Sequence, residues 1–254
     1  MFADNLNDML YKEYQPSALL SPYIETYWTS NSPGNGEFHK VLPDGCVDII
    51  FQFNKTKNIF YAEICGTMTT FLNMNFLESI QIFGIRFRPI GITFFTRVPV
   101  EEFTDKNVEL ALVDTLFDKS FYEILPEKRS VEDMIKHVDN YLINNLPYLY
   151  SSEKQIIHAV DLIYLTKGQL SLTTLAADVC LCQRHFERKF KSAIGISPKM
   201  FAKISRFKHA LWCLKNYSHK DLLTIAIECG YYDHSHLIKD FKSLSGHGPT
   251  NLLQ

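Results

Sequence analysis

The sequence predicts an α+β protein. A β-rich N-terminal domain, barrel-like in one version of the reading, is joined by helices to an all-α C-terminal domain with two helix-turn-helix units. Three observations carry this. Runs rich in Val, Ile and Phe, broken by Gly and Pro turns, concentrate before residue 100. After about residue 150 the chain reads as short amphipathic helices closed by glycines. Within that second part a pattern recurs at a period of about fifty residues.

The first strand signal is LPDGCVDIIFQFN, where Pro43-Asp44-Gly45 is a turn and the Val47–Phe53 stretch a strand. A second strand is expected over Asn58–Ile64 and a third over Ser79–Phe87. The third does not alternate cleanly, and Gly84 reads as a bulge. Pro89-Ile90-Gly91 ends it. From about 99 to 150 the period turns helical, with Val131, Met134, Ile135, Val138 and Leu142 on one face. No Gly/Ser-rich linker intervenes, so the division is set near 150, giving units 1–150 and 151–254.

Composition narrows the function. Hydrophobic residues are 46% and charged residues 21%, which points to a globular chain. No apolar run is long enough for a membrane span, and the start lacks a secretory pattern. The six cysteines, Cys46, Cys65, Cys180, Cys182, Cys213 and Cys229, form no CxxC pair; they read as reduced thiols of a cytoplasmic protein, with neither metal nor cofactor expected. The net charge of −2 is unevenly spread. Residues 1–150 hold 12 Lys and Arg against 20 Asp and Glu, a balance of −8, and residues 151–254 hold 14 against 8, a balance of +6. Only the C-terminal part is suited to a polyanion.

That part contains CQRHFERKFKSAIGISP. On a helix, Phe186, Phe190 and Ala193 form an apolar stripe, and Arg184, Glu187, Arg188 and Lys191 form another face. Arg can bridge a guanine edge and Glu can accept from a cytosine amine. The helix SLTTLAADV, capped by Ser171 or Thr173, precedes it by a short turn, which is the helix-turn-helix arrangement. The pattern returns as LLTIAIECG followed by DHSHLIKDFKSLSG, with Asp233 as N-cap and Leu237 and Phe241 as the stripe. Phe190-Lys191-Ser192 and Phe241-Lys242-Ser243 occupy equivalent points, each followed by glycine and proline.

These residues resemble the DNA-binding domain of AraC/XylS-type bacterial transcription regulators. The resemblance spans about 155–253 and rests on Ile225-Ala226, Gly230-Tyr231, Phe241-Lys242, Gly246 and Pro249, with Arg206 and Ala210 in the linking helix. Cys180 departs from it, standing where the first turn often has glycine. The resemblance implies two recognition helices reading successive major-groove segments of double-stranded DNA. Its base-facing positions fall on Gln183, Arg184, Glu187 and Arg188 in the first unit, and on His234, Ser235, His236 and Lys239 in the second, His236 being open to a packing role as well. Lys191 and Lys242 are the phosphate contacts.

The N-terminal stretches Leu42–Gly45, Asp48–Phe51 and Phe83–Gly91 resemble the N-terminal domain of one PDG-containing subgroup of these regulators. In this family such a domain senses a small molecule, dimerises, or both, so monomer and homodimer both remain open, as does contact with RNA polymerase. Asp44, Asp48, Arg86 and Arg88 are the candidate ligand pocket; the competing reading makes Asp44 a turn cap and the arginines surface ion pairs. His39 reads as structural or solvated, and Tyr23, Tyr27 and Trp28 as core. A second class of function, an alkyl-transfer enzyme with an accessory DNA-binding domain, has only Cys46 to recommend it, and no alkyl-acceptor motif accompanies that residue. No catalytic residue is expected.

Overall fold

A computed structural model describes residues 11–252, except residues 37, 55, 56, 58, 152, 218 and 219. The expected secretory-signal test of the first residues, and the predicted strand start at Asn58, fall outside the described residues.

Among the described residues eight strands come first: β1 (Lys12–Tyr14), β2 (Ile24–Ser32), β3 (Phe38–Val41), β4 (Val47–Asn54), β5 (Ile59–Cys65), β6 (Leu72–Asn75), β7 (Ile80–Phe87) and β8 (Asn107–Glu109). They form a six-stranded antiparallel sheet in the order β1-β2-β7-β4-β5-β8 and a two-stranded sheet pairing β3 with β6. The larger sheet is open, with β1 and β8 as edges. A closed barrel is therefore not what these strands build.

The alternation of side chains separates the two faces of the large sheet. Ile49, Phe51 and Phe53 of β4, with Phe83, Ile85 and Phe87 of β7, belong to the main core of this part. Helices α1 (Lys119–Tyr122) and α2 (Val131–Asn145) complete that core through Phe121, Val138 and Leu142. The opposite face carries Trp28, Ile50 and Ile82 against the small sheet. Both faces of β7 are thus apolar or covered, which explains the weak alternation of its sequence. Gly84 is not a bulge. It pairs in regular register with Trp28 and Ile50, and a Cβ there would lie 2.1 Å from the Trp28 indole. The glycine makes room for the ring. The register shift in this pair of strands falls instead between Ile24 and Thr26.

Seven helices follow: α3 (Lys154–Leu165), α4 (Leu172–Asp178), α5 (Gln183–Ile194), α6 (Pro198–Asn216), α7 (Leu222–Glu228), α8 (His234–Ser245) and α9 (Pro249–Leu252). Their apolar stripes form a second core running from Ile156 to Leu244, which also takes in Leu42 and Ile90. Capping follows the sequence closely. Ser171 accepts from the Thr174 amide, Asp221 from Thr224 and Asp233 from His236. No helix among the described residues is long and apolar enough to cross a membrane.

Candidate nucleic-acid interface and cavity

The two units are copies of one plan. Helices α4 and α7 are the first members, α5 and α8 the second. After each first helix an amide reaches back to close the turn, Leu181 to the Ala176 carbonyl and Tyr231 to that of Ala226, at 3.0 and 2.9 Å. One residue at each turn takes a left-handed conformation: Cys180 at φ 54 and Gly230 at φ 78. Glycine adopts that conformation freely, while a side chain is strained in it. Helix α6 braces the second turn, where the Arg206 guanidinium donates to the Gly230 carbonyl at 3.3 Å and sits 5.3 Å over the Tyr231 ring.

Burial divides α5 as the spacing predicts. Phe186, Phe190 and Ala193 are buried, Gln183, Arg184, Arg188 and Lys191 are exposed, and Glu187 is half-buried. Gln183 donates to Glu187 at 2.8 Å, and Arg188 lies 3.4 Å from His185 Nδ1. Lys191 pairs with Glu101 of the N-terminal part at 3.1 Å. On α8, His234, Ser235, Lys239 and Lys242 are exposed. His236 is exposed as well, while its ring stands edge-on to Tyr231 at 5.2 Å, with Nε2 4.0 Å from Asp240. Packing accounts for that side chain at least as well as base contact does.

The cavity lies between the two sheets and has a volume of about 520 Å³. Trp28, Ile50, Phe71, Met74, Phe76 and Ile82 supply apolar walls. Its polar floor is Asp44, Asp48 and Arg86, with Arg86 Nε 3.4 Å from Asp44 and 3.2 Å from Asp48. Trp28 Nε1 donates to Asp48 at 2.7 Å. Burial pushes Asp48 up to about 6, the pull of Arg86 opposing it and neighbouring Asp44 reinforcing it. Burial acts the same way on Asp44, but Arg86, Lys208 and the Cys46 amide outweigh it and hold its carboxyl below the ordinary range. Asp44 Oδ1 also accepts from the Cys46 amide at 2.9 Å, so turn cap and cavity floor are one residue.

Arg88 is not part of this cavity. Strand β7 stops at Phe87, and the exposed Arg88 turns away to donate to the Ser21 carbonyl at 2.7 Å. Three cavity residues escape the sequence reading. Trp28 is buried as expected, but in a smaller cluster with Phe76 and Ile82 on the face opposite Tyr27, where it also lines the cavity. His39 is buried, lines the cavity and has an Nδ1 with no partner among the described residues, as does Ser30 with its Oγ. Only the fold shows that β3 crosses the face of the larger sheet. Cys46 is unlike a nucleophile: burial, Asp44 and Glu25 push its thiol far up, and it donates to Glu25 at 3.2 Å.

One segment serves both sites. Thr67 donates to the Ile194 carbonyl at the end of α5, and Thr104 donates to that of Gly195 at 2.6 Å. Thr70 donates to the Ser243 carbonyl at 3.0 Å, and Lys40 to that of Ser245 at 2.9 Å, both near the end of α8. The Phe71 ring lies against Gly246, and Phe201 of α6 lies against Gly45 beside the cavity floor. Lys40, Thr70 and Phe71 also line the cavity.

Residues 175–254 match the family described as Helix-turn-helix domain, and residues 12–109 match Domain of unknown function (DUF6597). None of the curated proteins matches the sequence. Among solved structures, ToxT from Vibrio cholerae is similar over 89% of this chain and 97% of that chain, at 9% identity and a TM-score of 0.46. ToxT bound to an unsaturated fatty acid is similar over 89% of this chain and 93% of that chain, at 11% identity and a TM-score of 0.45. A probable AraC family transcriptional regulator from Rhodopseudomonas palustris is similar over 40% of this chain and 96% of that chain, at 24% identity and a TM-score of 0.36. The class that the paired units define is a DNA-binding transcription regulator. Its C-terminal domain is a helix-turn-helix domain of the AraC type.

Proposed function

We propose that this regulator reads two successive major-groove segments through α5 and α8, and that the cavity between its sheets takes a small effector governing how the two helices are held. Arg184, Glu187 and Arg188, with Gln183, read bases in the first segment. His234, Ser235 and Lys239 read the second, and Lys191 and Lys242 contact phosphates. The two segments lie about 10 base pairs apart, one turn of DNA. Residues 1–150 form the effector unit and 151–254 the reading unit.

The observation that carries the effector role is that Lys40, Thr70 and Phe71 line the cavity while holding the C-terminal end of α8. The apolar walls with orphaned Ser30 Oγ and His39 Nδ1 suit a mostly apolar molecule bearing a hydrogen-bonding group. Asp44 and Asp48 already share Arg86, so the polar floor does not need a charged ligand to be satisfied.

The test is selection of binding sites from random duplexes by the full-length protein, with the salt dependence of the winner, repeated with Thr67→Val/Thr70→Val. Two short elements one turn apart and a steep salt slope support the reading. A change in affinity or preferred spacing in the variant supports the link from cavity to helices. An enriched site bound identically by both proteins removes that link and leaves the DNA reading intact.

A further inference from the structure

Behind the second unit lies a cluster of side chains that DNA contact does not use. His209 and Cys213 are one turn apart on α6, and so share a face. Cys229, at the end of α7, closes on that face. The imidazole nitrogen and the two sulfurs all lie within 4.8 Å of one another, with Cys213 Sγ 3.7 Å from His209 Nε2. Both cysteines are buried and His209 is half-buried. A tetrahedral site with metal–sulfur bonds of about 2.3 Å and a metal–nitrogen bond of about 2.0 Å has donor-to-donor edges of roughly 3.5–3.8 Å. The His209–Cys213 edge already has that length, and the other edges need to shorten by at most about 1.3 Å, a small side-chain adjustment.

We propose that His209, Cys213 and Cys229 form a binding site for a thiophilic divalent ion of the zinc class. Two sulfurs and an imidazole are the soft donor set such ions select. As each metal–sulfur bond forms, its thiol proton leaves to solvent, so two protons are released per ion. Two thiolates and a neutral imidazole around a divalent ion sum to zero charge, which suits a buried centre. Among the described residues no fourth protein donor joins the three, so water on the half-exposed His209 side completes the tetrahedron. The ion would tie the end of α7 to α6, fixing the whole second unit on the helix that links it to the first. The proposal stands independently of the cavity.

The sequence also hides a reporter: the Trp212 ring is stacked on that of His209, centroids 6.2 Å apart. Reduced, metal-free full-length protein is titrated with Co²⁺ and then with Zn²⁺. The expected result is saturation at one equivalent, thiolate-to-cobalt and tetrahedral cobalt bands, displacement by Zn²⁺, and a change in Trp212 emission. Cys229→Ser and His209→Ala each lose affinity by an order of magnitude or more, while Cys180→Ser/Cys182→Ser retains it. Should the buried Cys229→Ser fail to fold, the half-exposed His209→Ala decides. Absence of thiolate bands at excess Co²⁺, or bands undiminished in His209→Ala, overturns the proposal and leaves the two cysteines as packing residues.

Discussion

On α5 most polar side chains already have partners, Arg184 excepted among the described residues. Gln183 reaches Glu187, Arg188 leans on His185, Lys189 pairs with Glu153 and Lys191 with Glu101. On α8, His234, Ser235, Lys239 and Lys242 have no side-chain hydrogen bond or ion pair among the described residues, while His236 is tied to Asp240, and Asp240 and Ser243 to Lys203 of α6. A side chain already ordered loses less freedom when it meets a base edge, while a free lysine suits a phosphate that needs charge more than direction. Under the proposed function the contrast would make α5 the discriminating helix and α8 the anchoring one, at a cost on α5, where Lys191 would have to leave Glu101 before reaching DNA.

The sharpest test of that contrast is a matched pair of alanine variants. Arg188→Ala is expected to lose about 1–3 kcal/mol of DNA affinity and relax one base position, while Lys242→Ala weakens all sequences alike and reduces the salt slope by about 1. Fluorescence anisotropy over a panel of mutated operators reads both. Equal relaxation by the two variants would erase the distinction.

Next in size is a change beneath the segment that both helices share. A carboxyl with a raised value favours the folded state when protonated, so the Asp48 contribution is full below about pH 4 and lost as pH rises through about 6. Asp48→Asn keeps an oxygen for the Trp28 indole and is expected to gain up to about 2 kcal/mol at pH 7. Thermal melts from pH 4 to 7 should flatten in the variant; an unchanged pH profile would refute the assignment.

The two turns give a smaller, opposed pair. Cys180→Gly is expected to stabilise, and Gly230→Ala to destabilise, each by about 1 kcal/mol, because both positions are left-handed. Denaturant unfolding measures both, and the same sign in both variants would contradict the backbone account. Smallest is Glu101→Ala, which frees Lys191. The pair is partly exposed, 55% and 32% at its two side chains, so DNA binding should tighten by only about 0.5 kcal/mol. Lys191→Ala should abolish that gain.

The helical half was legible because its signals are local. Glycines, caps and the stripes Phe186-Phe190 and Leu237-Phe241 are set within a turn or two of chain, and the structure keeps each one. The β half was legible as strands and much less so as a cavity. Asp44, Asp48 and Arg86 do converge, but strand periodicity wrongly carried Arg88 past the end of β7. Trp28 and His39 face the cavity only because β3 and β6 fold across a sheet whose other face is also apolar. The metal-like cluster was invisible to a search for CxxC spacing because two donors sit a helical turn apart and the third belongs to another helix.

Thr67 holds the end of α5 and Thr70 the end of α8, three residues apart on one stretch of chain. Under the proposed function that stretch would act as a caliper, setting the distance and rotation between two reading heads before DNA arrives, so that operators would be sorted by helical phase as well as by base sequence. An operator with both correct elements but one base pair inserted between them presents the second element rotated by about a tenth of a turn. It would then be rejected by geometry that no recognition side chain touches.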